Sequence, residues 1–435
     1  MKRLERDQLS LRQLLNIEAC SRCAECVRAC PVQAATSESD STAMAKIALW
    51  KRALGRDLSP GPSPTAGRGV GAHSSAPVSP FPRFGKGAGG VRSLFGRILR
   101  PAPPPGEGEL VDAAFDCTLC GRCQAVCPLF LRTHDLWIAQ RRQLARALIE
   151  PEAIARLAAR LRQDGNIAGR PQAERLSWLG NMPEPPAVPD RAEVAVFVGC
   201  VGSLYPQAFA LPRSLVTLLH LVGPPVALLG QREVCCGFPL YISGLEEEAL
   251  SLARRNLEAL KATGARTVVT PCPSCYHTLS VHYPLWLGAA WDVRVLNGAE
   301  YLDEMLAALL PRLKPLPLRV TYHDPCDLGR LSGIYELPRR LLRRIPGLEL
   351  VEMEENREQA LCCGGGGDVE MLKPELSQAI AGLRLKQAAA TGAEAIATAC
   401  PQCKRALTAA ARRARSALRT YDVAELLLRS VMSDA

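Results

Sequence analysis

Residues 268–277 read VVTPCPSCYH, and residues 395–404 repeat the pattern as AIATACPQCK. In both places a run of small and β-branched residues is followed by Cys-Pro-x-Cys. A Cys-Cys-Gly triplet stands upstream of each run, at residues 235–237 and 362–364, and a single cysteine stands farther upstream, at Cys200 and Cys326. Corresponding cysteines lie 126 to 128 residues apart. A nearly constant offset over a whole unit indicates an internal duplication.

Each copy of this pattern supplies five cysteines. The first set is Cys200, Cys235, Cys236, Cys272 and Cys275, and the second is Cys326, Cys362, Cys363, Cys400 and Cys403. Five thiol ligands are one more than a tetrahedral zinc site or a four-cysteine 4Fe–4S cubane requires. The surplus favours an unusual iron–sulfur cluster in each copy.

Apolar runs alternate with helical patterns in the same order in both copies. The predicted strands are Val194–Val198, Pro225–Leu229, Thr267–Thr270, Val293–Leu296, Leu318–Tyr322, Leu348–Val351, Ala395–Thr398 and Leu418–Tyr421. The predicted helices are Leu211–Leu221, Leu245–Thr263, Leu337–Arg344, Pro374–Ala390 and Lys404–Leu418. This alternation predicts two α/β domains, each with a parallel sheet covered by helices. Ligands gather at the carboxyl ends of such strands, where the cysteines of both copies are expected.

A second cysteine motif fills the N-terminal part of the chain. The spacing Cys-x2-Cys-x2-Cys-x3-Cys-Pro occurs at residues 20–31 and again at residues 117–128. It is typical of two-cluster ferredoxins, in which the fourth cysteine of each run binds the other cluster. We therefore expect one 4Fe–4S cubane on Cys20, Cys23, Cys26 and Cys127, and another on Cys117, Cys120, Cys123 and Cys30. A pair of zinc ribbons is the alternative, and the repeated spacing disfavours it.

Two helices are expected to flank these clusters, which makes the ferredoxin domain largely α-helical. The first is predicted at Leu11–Glu18. The second, Leu136–Glu150, is amphipathic. Its apolar face is expected to hold Leu136, Ile138, Leu144 and Leu148, opposite its arginines. The whole chain is thus predicted to be an α+β multidomain protein, a helical ferredoxin domain followed by two duplicated α/β domains.

The composition excludes several other classes of protein. The N-terminus has no apolar run, so no secretory signal is expected, and the cysteines are interpreted as metal ligands and not as a disulfide framework. No apolar run of about 18 residues occurs, so no membrane span is expected. The net charge of +10 is concentrated in residues 46–105, which hold ten basic residues and one acidic residue. Without a base-stacking platform or a nucleic-acid motif, this charge does not indicate nucleic-acid binding.

The basic segment is predicted to be an insertion between the two ferredoxin motifs. Residues 59–90 are rich in Pro, Gly and Ser and are expected to be disordered. Val91–Arg100 is predicted to be a basic amphipathic helix that either docks on a membrane surface or partner or packs on its own domain. The predicted units are residues 1–45 and 106–170 (ferredoxin domain), 46–105 (insertion), 171–190 (Pro-rich linker), 191–310 (first repeat) and 311–435 (second repeat).

The spacing of the ten repeat cysteines resembles the cysteine-rich "CCG" domains of heterodisulfide reductases. This resemblance implies that each set of five holds a non-cubane 4Fe–4S cluster, and that a disulfide is reduced between the two clusters. It also implies redox partner subunits, either a membrane cytochrome b or a flavoprotein, and a cytoplasmic location, with possible peripheral attachment to the membrane through a partner. Related iron–sulfur subunits of glycolate and lactate oxidases carry similar domains, so a non-catalytic electron relay is the alternative function.

Candidate catalytic residues are Cys235, Cys362 and His323, the last as a proton donor to substrate sulfur. For His323, and more so for His277, the alternative is hydrogen bonding to the backbone or to cluster sulfides. Gly237 and the run 364–367 are expected to bring backbone close to a cluster and to permit positive φ. A phosphate-binding role for this run is disfavoured because the Lys-Ser/Thr of a P-loop is absent. No flavin or nicotinamide site is predicted.

Overall fold

A computed structural model describes residues 6–55, 104–180, 182 and 188–432. The amphipathic helix predicted at Val91–Arg100 lies outside these ranges, as does the Pro/Gly/Ser-rich segment before it. No helix within the described ranges is long and apolar enough to cross a membrane.

The N-terminal domain is entirely helical in the described residues. Its α-helices are α1 (Leu11–Glu18), α2 (Glu25–Arg28), α3 (Pro31–Thr36), α4 (Ala43–Ala53), α5 (Glu107–Phe115), α6 (Arg122–Ala125), α7 (Thr133–Arg146) and α8 (Glu152–Asp164). Helix α1 begins as predicted because Ser10 caps it and Gln13 bonds back to Ser10 in a capping box. Helices α4 and α5 pack together. Most of α4 was predicted to belong to the insertion, yet Trp50 is fully buried there and donates to Gln143.

Helix α7 differs from the amphipathic helix predicted at Leu136–Glu150 in two respects. It covers residues 133–146 and ends before Leu148, which has a positive φ of 59° and is 76% exposed. The predicted polar face is also interrupted, because Arg141 is fully buried among backbone carbonyls. Leu136, Ile138 and Leu144 are buried as expected. The sequence pattern predicted that Arg141 is exposed to solvent, because a periodic pattern contains no information about hydrogen-bond acceptors that other domains supply.

Each repeat contains a four-stranded parallel sheet. The strands are β1 (Val194–Val196), β2 (Val226–Leu228), β3 (Thr267–Thr270), β4 (Arg294–Asn297), β5 (Leu318–Tyr322), β6 (Leu348–Val351), β7 (Ala395–Thr398) and β8 (Arg419–Asp422). The strand orders are β2-β1-β3-β4 and β6-β5-β7-β8, and every pairing is parallel. The predicted fold class is therefore confirmed. Four strands have the predicted bounds, and the others differ by one or two residues at their ends.

Helices cover both sheets. They are α9 (Gly199–Leu204), α10 (Ala210–Val222), α11 (Phe238–Ile242), α12 (Glu246–Thr263), α13 (Pro273–His277), α14 (Tyr283–Leu287), α15 (Gly298–Glu304), α16 (Leu306–Leu309), α17 (Glu336–Arg343), α18 (Val369–Leu372), α19 (Pro374–Ala390), α20 (Pro401–Arg413) and α21 (Val423–Met432). The helix predicted at Lys404–Leu418 is α20, which starts three residues earlier because Pro401 occupies its first turn. It ends earlier because Arg415 adopts a positive φ of 50°.

Short 3₁₀ segments and one π-helical turn complete the structure. They are Arg6–Gln8, Gln172–Leu179, Pro206–Ala208, Gly230–Arg232, Thr278–His282 (the π turn), Gly288–Ala290, Leu310–Arg312 and Arg357–Gln359. Residues 172–179 fall in the predicted linker, but they pack on the first repeat with Arg175 and Trp178 buried.

The two repeats pack through equivalent helices. Helix α10 of the first repeat contacts α21 of the second, and α17, the counterpart of α10, contacts α15, the counterpart of α21. This reciprocity is that of a two-fold arrangement, in which the same surface of each copy meets the other. One hydrophobic core therefore runs through both repeats, from Val196 and Leu215 to Val320 and Leu426. The arrangement holds the two cysteine sets at fixed positions relative to each other.

Candidate metal centres and the cavity between them

The first set of five cysteines converges at the carboxyl end of its sheet. Cys200 lies in α9, directly after β1, and Cys272 caps α13, directly after β3. The Cys235–Cys236 pair follows β2, and Gly237 then turns the chain with a φ of +93°. The thiols lie next to one another in the order Cys200, Cys235, Cys236, Cys275, Cys272. All five are buried.

The second set repeats this arrangement around the other sheet. Its thiols neighbour one another in the order Cys326, Cys362, Cys363, Cys403, Cys400. Thiols at the centre of each series accept hydrogen bonds from both neighbours, which lowers the pKa of Cys236 to about 6 and that of Cys363 to about 5. The direction of these two shifts favours the thiolate, the form that binds metal.

The ferredoxin motifs form two further thiol groups. Cys127 lines a small cavity with Cys20, Cys23 and Cys26 of the other motif, and Cys123 also borders it. Cys30 lies in the electrostatic neighbourhood of Cys117 and Cys120, again across motifs. Pro31 starts α3 directly after Cys30, and this turn carries the chain away from the group. The structure thus brings Cys127 to all three cysteines of the first motif and Cys30 to two of the three in the second.

The donor chemistry of all four groups suits iron–sulfur clusters. All eighteen cysteines are free thiols. Burial raises the pKa of Cys26 to about 12 and that of Cys30 to about 11. Crowded, buried thiols of this kind are stabilised as thiolates only when cationic metal offsets their mutual repulsion. Ligand groups made up mainly of soft sulfur favour iron–sulfur clusters or zinc over hard cations.

One cavity of about 270 Å³ lies between the two repeat sets. Its wall contains all five cysteines of the first set and four of the second, Cys326, Cys363, Cys400 and Cys403. Apolar side chains such as Leu157 and Phe238 also line the cavity, together with charged side chains of both signs: Arg160, Asp327, Asp368, Glu370 and Arg405. A small molecule in this space would contact both cysteine sets at once.

Cys235 lies on this cavity, whereas Cys362 is not among the wall residues. Cys362 instead has the thiol of Cys120, from the ferredoxin domain, within hydrogen-bond reach. Arg330 lies beside this contact and donates to the carbonyl of Cys120 at 2.6 Å and to that of Ala360 at 2.9 Å. The second repeat therefore adjoins the ferredoxin domain through a cluster-ligand candidate on each side.

His323 lies behind the second cysteine set and is not part of the cavity wall. It is 1% exposed, and its Nδ1 accepts a hydrogen bond from Arg384 Nε at 3.0 Å. Burial and the charge of Arg384 hold the pKa of His323 well below its usual range. This position favours contact with the cysteines over proton donation to a molecule in the cavity.

His277 ends α13 and faces away from the first cysteine set. Its Nδ1 lies 3.4 Å from the hydroxyl of Ser332, and its ring lies 5.3 Å from that of His282. Burial lowers the pKa of His277 and lowers that of His282 to about 3. These rings are neutral at physiological pH and pack with Tyr241 and Trp286 as part of an aromatic group.

Two buried arginines that sequence reasoning missed support the sites. Arg175 donates to Cys200 Sγ at 3.3 Å and to Glu233 at 2.6 Å, and Glu233 in turn accepts from the backbone N–H groups of Val198 and Gly199. This network fixes the loop that carries Cys200. Arg175 lies in the segment predicted to be a linker. The only sequence signal for it was its position shortly before the first strand.

Arg141 joins three parts of the chain. Its guanidinium donates to the carbonyls of Ala114 and Cys117 in the ferredoxin domain, to Ile242 in the first repeat and to Gly367 in the second, at 2.9 to 3.3 Å. These four acceptors account for its burial, since an unpaired guanidinium is costly to bury.

The glycine run 364–367 serves contacts between domains as well as the cysteine loop. Gly364 has a φ of +83° and turns the chain after Cys363. A Cβ on Gly367 would overlap the carbonyl oxygen of Cys117, and one on Gly366 would lie 2.8 Å from that of Thr118. Backbone can approach backbone this closely only where no side chain intervenes.

Comparison with known families agrees with the division of the chain into one ferredoxin domain and two cysteine-rich repeats. The family described as "4Fe-4S dicluster domain" matches residues 16–131, and the family described as "Cysteine-rich domain" matches residues 194–280 and 320–408. The chain is 31% identical to a subunit of the dihydromethanophenazine:CoB–CoM heterodisulfide reductase of Methanosarcina barkeri, over 98% of this chain and 96% of that protein. The same subunit in Methanosarcina mazei is 32% identical, over 93% and 91% of the two chains. The chain belongs to this family of heterodisulfide reductase subunits.

This membership gives the chain its class. It is an iron–sulfur electron-transfer subunit of oxidoreductase type that carries 4Fe–4S clusters. A third relative is a probable membrane-anchored ferredoxin of Chromohalobacter salexigens, 31% identical over 90% of this chain and 56% of that protein. The family resemblance expected from the cysteine spacing is therefore confirmed.

Proposed function

We propose that this heterodisulfide reductase-like chain reduces a disulfide, or a related sulfur substrate, in the cavity between its repeats. The observation that carries the proposal is the shared wall, to which both repeats contribute cysteines. The ligand sets would be those of the four thiol groups: two ferredoxin-type 4Fe–4S clusters and two clusters of non-cubane type on the sets of five. When bound, such clusters exchange electrons one at a time.

The reaction has a simple balance. Cleavage of one disulfide takes up two electrons and two protons and yields two thiols. The role of the chain's own residues is to place one substrate against both cysteine sets and to exclude bulk water, which the apolar wall around Leu157 and Phe238 supports. Arg160 provides a cationic group on the same wall for an anionic substituent of the substrate, whereas Arg405 is ion-paired with Glu370.

The order of the domains supports a direction within the chain. The contact between Cys120 and Cys362 makes the ferredoxin domain adjacent to the second repeat, so electrons would enter the repeats there. The domains proposed are those of the sequence prediction, with residues 46–53 added to the ferredoxin domain and residues 172–179 added to the first repeat. A cytochrome b or a flavoprotein is the proposed redox partner, and it would hold the chain at the inner face of the cytoplasmic membrane.

The test is an anaerobic assay of the full chain with a reduced viologen dye as electron donor and a panel of disulfides as acceptors. Cys235→Ser and Cys362→Ser are expected to abolish disulfide reduction while the ferredoxin clusters remain reducible. Wild-type rates in both variants, measured from the dye to an acceptor, would show that the repeats are not the site of disulfide reduction and would favour the alternative, an electron relay such as the iron–sulfur subunit of a flavin-dependent hydroxy-acid oxidase.

A further inference from the structure

The two repeats differ at one buried position beside their cysteines. In the second repeat the backbone N–H of His323 donates to Ala397 at 2.8 Å, and in the first repeat that of Phe197 donates to Val269 at 2.9 Å. The two residues thus occupy the same place next to the central strands of their sheets. Phe197 is fully buried and His323 nearly so. One repeat therefore has a hydrogen-bond donor where the other has an apolar ring.

The helix that covers this position differs in a matching way. Arg384 in α19 donates to His323 Nδ1, to the carbonyl of Glu355 at 2.8 Å and to Gln387 at 2.7 Å. Its counterpart in α12 is Asn256, which bonds to the backbone of Val234 and Cys235. Burial lowers the pKa of Arg384 to about 10, so the guanidinium keeps its charge at neutral pH.

The bond from Arg384 determines the tautomer of His323. An Nδ1 that accepts a hydrogen bond carries no proton, so a neutral ring has its proton on Nε2. A ring nitrogen of His323 and the Sγ atoms of Cys363 and Cys403 all lie within 4.8 Å of one another. Since Nδ1 accepts from Arg384, Nε2 is the nitrogen available to donate to these sulfurs.

We infer that His323, oriented by Arg384, is a positioning residue that raises the reduction potential of the cluster on the second cysteine set relative to the cluster on the first. This inference rests on the ligand sets of the proposed function. Reduction adds negative charge to the cluster and its cysteine sulfurs, and an N–H donor with a cation behind it stabilises that charge. In the first repeat Arg175 donates to Cys200 Sγ at 3.3 Å, but its charge is balanced by Glu233 at 2.6 Å, whereas the partners described for Arg384 are the His323 ring, a backbone carbonyl and an amide.

This difference suits the position of the second repeat. Its set adjoins the ferredoxin domain at Cys120, so its cluster is the one placed to accept electrons first. A higher potential there retains an arriving electron until the cavity is occupied. The first repeat, with Phe197 and a neutralised arginine, holds the more strongly reducing cluster.

The experiment is a redox titration of the anaerobic full chain followed by EPR. The signal of the second-repeat cluster is assigned by its loss in Cys403→Ser.

His323→Phe, which copies the first repeat, is expected to lower the reduced-to-oxidised ratio of this cluster about tenfold at a fixed potential. For a one-electron couple this corresponds to a midpoint potential lower by about 59 mV. His323→Gln keeps an N–H donor and is expected to restore most of the ratio. Phe197→Leu is the matched control in the first repeat and is expected to leave this signal unchanged.

The outcomes separate the inference from the function on which it rests. An unchanged ratio in His323→Phe, with iron content retained, overturns the inference and leaves the proposed function intact. A wild-type chain without any signal that depends on Cys403 overturns the ligand sets themselves. If His323→Phe loses iron, Arg384→Asn, which keeps the ring but frees Nδ1, decides the matter: a lowered ratio supports the inference, and an unchanged ratio overturns it.

Discussion

The thiol of Cys120 lies within hydrogen-bond reach of the thiol of Cys362, although 242 residues separate them in the sequence. One belongs to the second ferredoxin motif and the other to the second repeat. A direct contact between ligand candidates is the shortest route that protein can offer between two metal centres. Under the proposed function, residues that hold the ferredoxin domain against the second repeat are therefore expected to affect electron transfer as well as stability.

Gly367 tests this dependence. A Cβ there would overlap the carbonyl oxygen of Cys117, and the residue has a positive φ. Gly367→Ala is expected to lower the free energy of unfolding by about 3 kcal/mol, because backbone strain adds to overpacking. Anaerobic urea unfolding measures this, and stopped-flow absorbance measures slower reduction of the repeats. Gly382→Ala is the control, since nothing lies within 4 Å of its Cβ in α19 and a small gain of about 0.5–1 kcal/mol is expected. Equal urea midpoints for the two variants would contradict the close contact between Gly367 and the backbone of Cys117.

Iron content tests the assignment of all eighteen cysteines. Eight cysteines for two ferredoxin-type clusters and ten for the repeat clusters predict about sixteen irons per chain, with equal sulfide. Protein purified without oxygen should be brown, and chelation of its iron should unfold the thiol-rich loops. Metal and sulfide analysis provides the measurement. A colourless, folded, zinc-rich preparation would exclude iron–sulfur clusters.

Asp422 predicts a pH dependence of stability. Burial, followed by the charge of Glu425, raises the pKa of its carboxyl from 3.8 to about 8. The folded state thus binds this proton more tightly than the unfolded state, so the contribution of Asp422 is full below about pH 4 and is lost as the pH rises to about 8. Asn cannot lose a proton and can still accept from the N–H of Ala424. We expect Asp422→Asn to gain stability over the wild type as the pH rises from 5 to 8 in urea titrations, with the exposed Asp292→Asn as the control. A constant difference across this range would show that Asp422 is already charged at pH 5.

The basic insertion is expected to be separable from the clusters. Helices α4 and α5, on either side of it, pack together, and Arg52 forms an ion pair with Glu109 at 2.8 Å. Deletion of residues 59–100 should therefore leave the iron content unchanged. It should also weaken recovery with membranes at low salt, since basic residues are attracted to anionic surfaces. Co-sedimentation with membranes and iron analysis test both statements, and loss of the ferredoxin clusters would show that the insertion is a structural element.

The sequence predicted those features that depend on local pattern. Periodicity and turn residues defined eight strands and the order of helices, and the spacing of the cysteines predicted the four thiol groups that the fold brings together. The sequence could not indicate which cysteines of different thiol groups lie next to each other. Arg141, Arg175 and Arg384 were invisible as support because their acceptors are backbone carbonyls, a thiol and a ring nitrogen from distant segments. Such partners are set by tertiary packing, about which a run of neighbouring residues contains no information.

The glycine run makes the two copies of the duplication unequal. Gly366 and Gly367 lie against the ferredoxin backbone, whereas the corresponding positions of the first repeat are Pro239 and Leu240 in α11. If the halves exchanged places, these side chains would meet the carbonyls of Cys117 and Thr118. The copies are therefore no longer interchangeable modules. Both repeats contact the ferredoxin domain, but only the second does so through a glycine run that meets the backbone of Cys117 and Thr118.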